Sequence, residues 1–296
     1  VLSQNVNSAS ITMTLDKLQL KLGGSLSTSP DIVLMQDLRL NLSAGEDRWK
    51  SFKKSVKLFC ESNNLSCRYR LNVNSNKKAR GVAIFLNKTI FKEDPRVMYC
   101  DEVGNVLIVR TTLDGATLYV GSIYGPNEKN DSFYDNLNRE IKNLLISEPG
   151  YVILGGDWNT ILCDAPLELN YDIIDGKTIP NPSHGSKIRQ LMKENNLCDV
   201  YRLKVGTRKS YTYKHFSDKR FCKTRLDYLL VSKNLLNGLK DSEYRAEIGI
   251  RTTTVFDHRP VTLTISKGKD RKNEPNRGRL VTPNQTTITK ELWEIV

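Results

Sequence analysis

Apolar residues return along this chain in two rhythms. Short apolar runs bounded by polar or glycine-rich residues predict strands at 1–6, 31–36, 69–73, 81–86, 106–112, 117–124, 151–154, 211–213, 225–231 and 261–265. Apolar residues spaced every three to four positions predict helices at 15–22, from about 47 to 63, at 132–146 and at 187–195. Asp114-Gly115 between two strand runs is the signal for a tight two-residue hairpin. Residues 164–184 are polar and contain prolines, which predicts a surface loop, and 77–80 form a basic turn. The stretch KHFSDKRFCKTR after Tyr213 must return the chain between two strands, so 213–225 is expected as a protruding β-hairpin. Strands and helices alternate, strands are more numerous, and no repeat is visible. That order predicts a layered α/β fold with antiparallel pairings, not a doubly wound parallel sheet.

The composition narrows the function. At 296 residues, 39% hydrophobic and 26% charged, the chain has an ordinary globular make-up, which excludes wholesale disorder. No apolar run approaches the roughly 18 residues of a membrane span. After Ser266 the sequence turns to KGKDRKNEPNRGR, which reads as a linker, so a folded body over 1–266 and a basic linker over 267–296 are expected. Residues 289–296 begin a further element, and the chain, starting at Val1, reads as a domain excised from something longer. The net charge is +12, of which the linker carries only +3, so the body itself is basic and suits an anionic polymer such as nucleic acid. Six dispersed cysteines form no CxxC pair and no cluster with the three histidines. This disfavours a zinc site and points to reduced thiols inside a cell.

Polar residues at the ends of apolar runs carry the candidate chemistry. Gly155-Gly156-Asp157-Trp158-Asn159-Thr160 follows a strand, and its glycines are expected to turn the backbone so that Asp157 and Asn159 project together. A carboxylate beside an amide can hold a water and a phosphate oxygen. Asp257-His258 precedes the strand at 261–265, and Asp227 lies among apolar neighbours in Arg225-Leu226-Asp227-Tyr228-Leu229-Leu230. A buried acid needs a partner, and a histidine serves. Asn5, Asp37 after Gln36, and Tyr124 stand at three further strand ends.

In this order NVN (5–7), MQDLRL (35–40), SIYGPN (122–127), GGDWNT (155–160), SYTY (210–213), RLDYLL (225–230) and FDHRPV (256–261) resemble the endonuclease/exonuclease/phosphatase superfamily. Within it, they look most like the apurinic-like endonuclease domain of non-LTR (LINE-type) retrotransposons. The resemblance covers about 1–266. It implies a DNase I-like four-layered α/β sandwich, two packed, mainly antiparallel sheets flanked by helices. It also implies Mg²⁺, with Mn²⁺ able to take its place, bound through Asp37 with Asn5 in support. Tyr124 would contact the scissile phosphate, Asp157 would handle the attacking water and Asn159 a phosphate oxygen. His258 held by Asp227 would stabilise the phosphorane, Asp257 would shape the metal side, and Thr212 would line the DNA groove. On the hairpin, Lys214, Lys219, Arg220, Lys223 and Arg225 are expected to meet phosphates. The family usually has Glu at position 37, and often Ser where this chain has Phe256.

The expected activity is nicking of double-stranded DNA to leave a 3′ hydroxyl that primes target-primed reverse transcription. The partner would be a downstream reverse transcriptase region of the same polyprotein, and the location nuclear. The alternatives are a cellular apurinic-site repair nuclease and a DNA-binding module with a weakened active site.

Overall fold

Every residue of β2 (Ile32–Gln36) is buried, so the strand must be covered on both faces. In the computed structural model Ile32 and Leu34 face an inner core with Ile84, Leu86, Val109, Val120, Ile153, Leu229 and Val231. Val33 and Met35 face the other way, onto Val56 and Phe59 of α1 (Glu46–Ser62). The second sheet repeats the arrangement. Its outward residues Ile108, Tyr119, Val152, Leu154, Tyr228 and Leu230 pack against Tyr134, Leu137 and Ile141 of α2 (Asp131–Ser147) and Ile188 and Leu191 of α3 (Pro182–Glu194). Helix, sheet, sheet and helix make the expected four layers. Each large apolar side chain so withdrawn contributes about 1.5–3 kcal/mol, which gives the strand ends a rigid base. The structure describes residues 1–6, 30–39, 46–71, 80–174, 181–217, 220–237, 244–250 and 257–267. The helix expected at 15–22, most of the basic turn, Lys219, Phe256 and nearly all of the linker lie outside them.

The first sheet joins β1 (Leu2–Asn5), β2, β3 (Leu65–Arg70), β4 (Val82–Asn87), β14 (Tyr244–Ile250) and β15 (Val261–Lys267) in the order β14-β15-β1-β2-β4-β3. The second joins β5 (Arg96–Cys100), β6 (Val106–Leu113), β7 (Ala116–Tyr124), β8 (Tyr151–Asp157), β10 (Leu197–Asp199) and β13 (Asp227–Ser232) in the order β10-β13-β8-β7-β6-β5. Parallel pairing occurs between β1 and β2 and between β7 and β8, and the other pairs are antiparallel. Register brings polar ends together: Asn5 lies opposite Gln36, Tyr124 opposite Asp157, and Asp227 opposite Asp157. The turn between β6 and β7 has positive φ at both Asp114 and Gly115, as expected of its sequence. The expected hairpin forms from β11 (Tyr213–Ser217) and β12 (Arg220–Thr224), and the two-residue strand β9 (Ile173–Ile174) pairs with its second arm.

Some expectations are corrected. Gly155 and Gly156 do not turn the chain; they continue β8 to Asp157. A Cβ on Gly156 would lie 1.9 Å from the Ile123 carbonyl oxygen, and one on Gly155 would lie 2.5 Å from Leu34 Cδ1 of the facing sheet. These glycines serve close approach, not turning. Residues 164–184 are not one loop. They contain a 3₁₀ turn at Leu167–Leu169, β9 and the first turn of α3. The strand expected at 69–73 begins at Leu65, where Leu65 and Ser66 are buried against β4. β5, β10, β14, α4 (Val200–Val205) and α5 (Lys233–Asn237) were not anticipated.

Candidate active site

The ends of β1, β2, β7 and β8 and the start of β13 fall at one edge of the sandwich, and the chain entering β15 brings Asp257 and His258 there. Asp157 is the centre. Its Oδ2 accepts a 2.8 Å hydrogen bond from Asn5 Nδ2, which crosses from one sheet to the other. Its Oδ1 accepts the Asn159 backbone N–H at 3.0 Å. His258 is 5% exposed and donates from Nδ1 to Asp227 Oδ2 at 2.8 Å, leaving Nε2 at 3.7 Å from Asp157 Oδ2. The Asp–His pairing expected from the sequence is therefore formed. Burial pushes the Asp157 carboxyl up to about 7, aided by the charge of Asp227 and opposed by His258. Burial alone would lower His258, but Asp227 and Asp157 outweigh it and raise the imidazole to about 9. The site thus pairs an acid drawn toward neutrality with a histidine held as a cation.

Tyr124 is buried above this pair. Desolvation, then the charges of Asp37 and Asp157, raise its pKa, so the hydroxyl remains a donor. Asn159 adopts a left-handed φ of 49°, and its Nδ2 donates to Gly125 O at 2.7 Å, which ties the GDWN segment to the end of β7. Asp257 contributes charge to both His258 and Tyr213, and its carbonyl accepts the Lys214 N–H at 3.3 Å.

Asp37 is buried, and Arg39 donates to its Oδ2 from Nε at 2.8 Å and from Nη2 at 2.7 Å, while the Arg80 N–H reaches Oδ1 at 3.0 Å. Residues two apart seldom meet in regular structure. Here Asp37 and Arg39 both have positive φ, 56° and 49°, and the chain folds the guanidinium back onto the acid. Such backbone strain, of order 1–3 kcal/mol per residue, persists where the surroundings enforce it. A cation thus already sits on this carboxylate, which fits a position made for positive charge. Carboxylate oxygens such as those of Asp37 suit a hard divalent ion. Asp157, Asp227 and His258 also bring ligand atoms within 4.8 Å of one another. The Asp227–His258 hydrogen bond and the Asp157–His258 ion pair make them a proton-handling group first.

Two expected DNA contacts are corrected. Thr212 is fully buried, and its Oγ1 accepts the N–H groups of Leu226 and Asp227, both at 3.0 Å. It fixes the backbone that carries Asp227 and does not line a groove. Arg225 is 1% exposed; its Nε donates to Asp172 Oδ1 at 2.7 Å and its Nη2 to Asp199 Oδ2 at 2.6 Å. It is an internal brace and cannot meet a phosphate. Lys214 and Lys223 lie opposite each other across the hairpin, both half-buried. Lys219 and the side chain of Arg220 lie outside the described residues. The sequence reading missed Gln4, whose Nε2 donates to the carbonyls of Asn5 and His258 at 2.6 and 3.1 Å. It also missed Tyr213, whose ring lies 4.6 Å from the His258 ring, centroid to centroid. Both are set by neighbours far away in the chain.

A sequence profile of the Endonuclease/Exonuclease/phosphatase family matches residues 2–242. A 186-residue stretch is 25% identical to the "Transposon TX1 uncharacterized 149 kDa protein" of Xenopus laevis, covering 60% of this chain and 13% of that protein. The chain therefore spans a small part of that relative's length. Among solved structures, an AP endonuclease from Leishmania major superposes with a TM-score of 0.66 at 16% identity, covering 90% of this chain and 87% of that one. A 3′-5′ exonuclease from Neisseria meningitidis gives 0.60 at 20% identity, covering 89% and 98%. The endonuclease domain of TRAS1, a telomere-specific non-LTR retrotransposon, gives 0.51 at 13% identity, covering 89% and 96%. These structures share the fold.

Proposed function

The chain belongs to the endonuclease/exonuclease/phosphatase family, and from that premise we propose that it nicks double-stranded DNA by Mg²⁺-dependent phosphodiester hydrolysis and leaves a 3′ hydroxyl. The observation that carries this reading is the buried set in which Asp157 meets His258, itself held by Asp227, under the Tyr124 hydroxyl. Asp157, with its carboxyl pushed up to about 7, is basic enough to take a proton from an attacking water and stays placed by Asn5 and Asn159. His258, held as the imidazolium by Asp227, sets a donor and a positive charge where the pentavalent phosphorus gathers negative charge. The neutral Tyr124 hydroxyl adds a second donor, and the free hydrogen of the Asn159 amide a third. Asp37, supported by Asn5, would hold the Mg²⁺, which when bound supplies Lewis acidity and offsets phosphate charge. Similarity to a transposon protein and to a retrotransposon endonuclease domain supports placing this activity in a mobile element. There the nick would prime reverse transcription by a downstream region of the same polyprotein, acting on chromosomal DNA in the nucleus.

The test is incubation of supercoiled plasmid with Mg²⁺, with and without EDTA, followed by polymerase extension of the nicked strand. Open-circle product that needs the metal and extends directly supports the reading. Binding without nicking would instead favour a DNA-binding module with a weakened site, a reading that rests on Asp37 and its engagement by Arg39. Strong preference for a duplex bearing one abasic site would favour a repair nuclease.

A further inference from the structure

Next to His258 two cations gather on one tyrosine, and a third stands across the hairpin from one of them. The chain after His258 runs along β11: Arg259 N–H donates to the Thr212 carbonyl at 2.6 Å, Lys214 N–H to the Asp257 carbonyl at 3.3 Å, and Tyr213 forms a bridge with His258. This pairing lays the Arg259 guanidinium 3.9 Å from the centre of the Tyr211 ring, with its Nη2 hydrogen-bonded to the Tyr211 hydroxyl. Lys223 Nζ lies 5.5 Å from the same ring centre. Lys214 sits directly across the hairpin from Lys223. Like charges placed opposite one another in a β-ladder oppose hairpin formation. Burial, then Lys223 and Arg259, lower the Lys214 pKa, so the repulsion reaches all three groups. Among the described residues, neither Lys223 nor Arg259 is ion-paired with a carboxylate. A fold that sets Lys223 and Arg259 together, half-buried, on one aromatic platform, with Lys214 across the ladder from Lys223, is built to be completed by an anion with several oxygens.

We infer that Lys223 and Arg259, framed on the Tyr211 ring, together with Lys214 opposite Lys223, form a subsite for a non-scissile backbone phosphate of the nucleic acid, beside the reacting one. The inference rests on the nuclease reading of the adjoining site and deepens it. Arg259 follows His258 in sequence, and Tyr213 stacks on the exposed His215 of the hairpin and lies tilted against the His258 ring. A phosphate held here therefore fixes the strand only a residue away from the group that handles the chemistry. The guanidinium, planar and braced by the tyrosine, offers paired donors to phosphate oxygens, and the two ammonium groups supply mobile point charges. The subsite reads no base; it sets register along the strand.

The test uses the whole protein and synthetic duplexes in which one linkage at a time is a neutral methylphosphonate. Binding is followed by fluorescence anisotropy across a salt series in EDTA, so that no cleavage intervenes. Wild type is expected to lose about five- to tenfold affinity at one linkage next to the cleaved one. Lys223→Gln and Lys214→Gln are expected to lose that sensitivity, and each to reduce the slope of log K against log salt by about one. Unchanged slopes in both variants, or a neutral-linkage profile identical to wild type, would overturn the subsite. Each variant should also melt at or above the wild-type temperature without DNA, because a like-charge contact has been relieved; a marked fall would show that the cations brace the fold and would equally overturn it. Metal-dependent plasmid nicking by wild type is scored separately. A protein that nicks but shows no such linkage keeps the nuclease reading and loses the subsite. One that shows the linkage but never nicks keeps the subsite and loses the nuclease reading.

Discussion

Arg225 and Asp227 stand two residues apart on one strand path, and each heads a buried cluster of charges. Around Arg225 the charges are balanced, two guanidinium groups against two carboxylates, with Arg225 Nη1 and Arg202 Nε left without a hydrogen bond. Burial alone would favour the neutral form of Arg225, but Asp199 and Asp172 outweigh that and raise its pKa, and Arg202 also bonds Asp172. The Arg225 ring contact with Tyr228, 4.2 Å to the centroid, completes the enclosure. Around Asp227 one cation, His258, is shared between two buried acids, and Asp157 answers by moving toward its protonated form. The first arrangement spends its charges on one another; the second keeps an acid and an imidazolium ready for a third party. Burial of charge is common to both, so the ratio of cations to anions decides which one braces the fold and which one does chemistry.

The comparison breaks first at Arg225. Arg225→Leu should destabilise the protein by about 3–5 kcal/mol in chemical denaturation, because Asp172 and Asp199 are left buried without their main partner. A loss under about 1 kcal/mol would mean that the cluster is dispensable. At the other cluster the effect should fall on turnover. Asp157→Asn or His258→Ala should lower single-turnover nicking by roughly 10²-fold or more, while DNA binding survives. Asp157→Asn should leave the metal-free protein as stable as wild type or more so, since it removes a repelled acid. Near wild-type nicking by either variant would remove that residue from the mechanism.

Acidity separates the clusters further. A carboxyl at about 7 and an imidazole at about 9 both mean that the folded protein holds protons that the unfolded chain has released. The His258 contribution is fully present below its ordinary value of about 6.5 and is lost as pH rises through about 9. The Asp157 penalty grows as pH rises from the ordinary carboxylate value of about 3.9 through about 7. Metal-free wild type should therefore lose stability steadily from pH 4 to 9 in denaturation series, and the lower half of that slope should vanish in Asp157→Asn. The guanidinium of Arg225 stays charged throughout and adds no slope of its own. A flat profile would contradict the assignment of both protons. The smallest effect is expected at the metal side, where Asp37→Glu should retain or raise nicking. A fall beyond about tenfold would show a site adapted around the shorter acid and its Arg39 partner.

Much of this was legible in the chain because apolar runs end in single polar residues. Asn5, Asp37, Tyr124, Asp157 and Asp227 each close or open such a run, and a layered sandwich gathers those ends at one edge. Arg225 was misread for the opposite reason. Its partners lie 53 and 26 residues away, at Asp172 in a connecting segment and Asp199 at the end of β10, so nothing near it in sequence announces burial. Gly155 and Gly156 were misread because the atoms that exclude a side chain, Ile123 O and Leu34 Cδ1, belong to other strands. The edge strands β5 and β10 are too short for a period of two to stand out, whereas β14 alternates Tyr244, Ala246, Ile248 and Ile250 with Arg245, Glu247 and Gly249 and was legible as a strand.

Those two glycines reach beyond packing. They let β8 lie close against β7 and against Leu34 of the opposite sheet, and the Asn5–Asp157 bond spans that same gap. The bond acts as a caliper closed on the core. Swelling of the inner layer by an enlarged side chain, by heat or by cosolvent opens the jaws before the helices let go. Catalytic competence should then fade ahead of melting, and sequences drifting at Leu34 or Gly155 would be policed by turnover long before they are policed by folding.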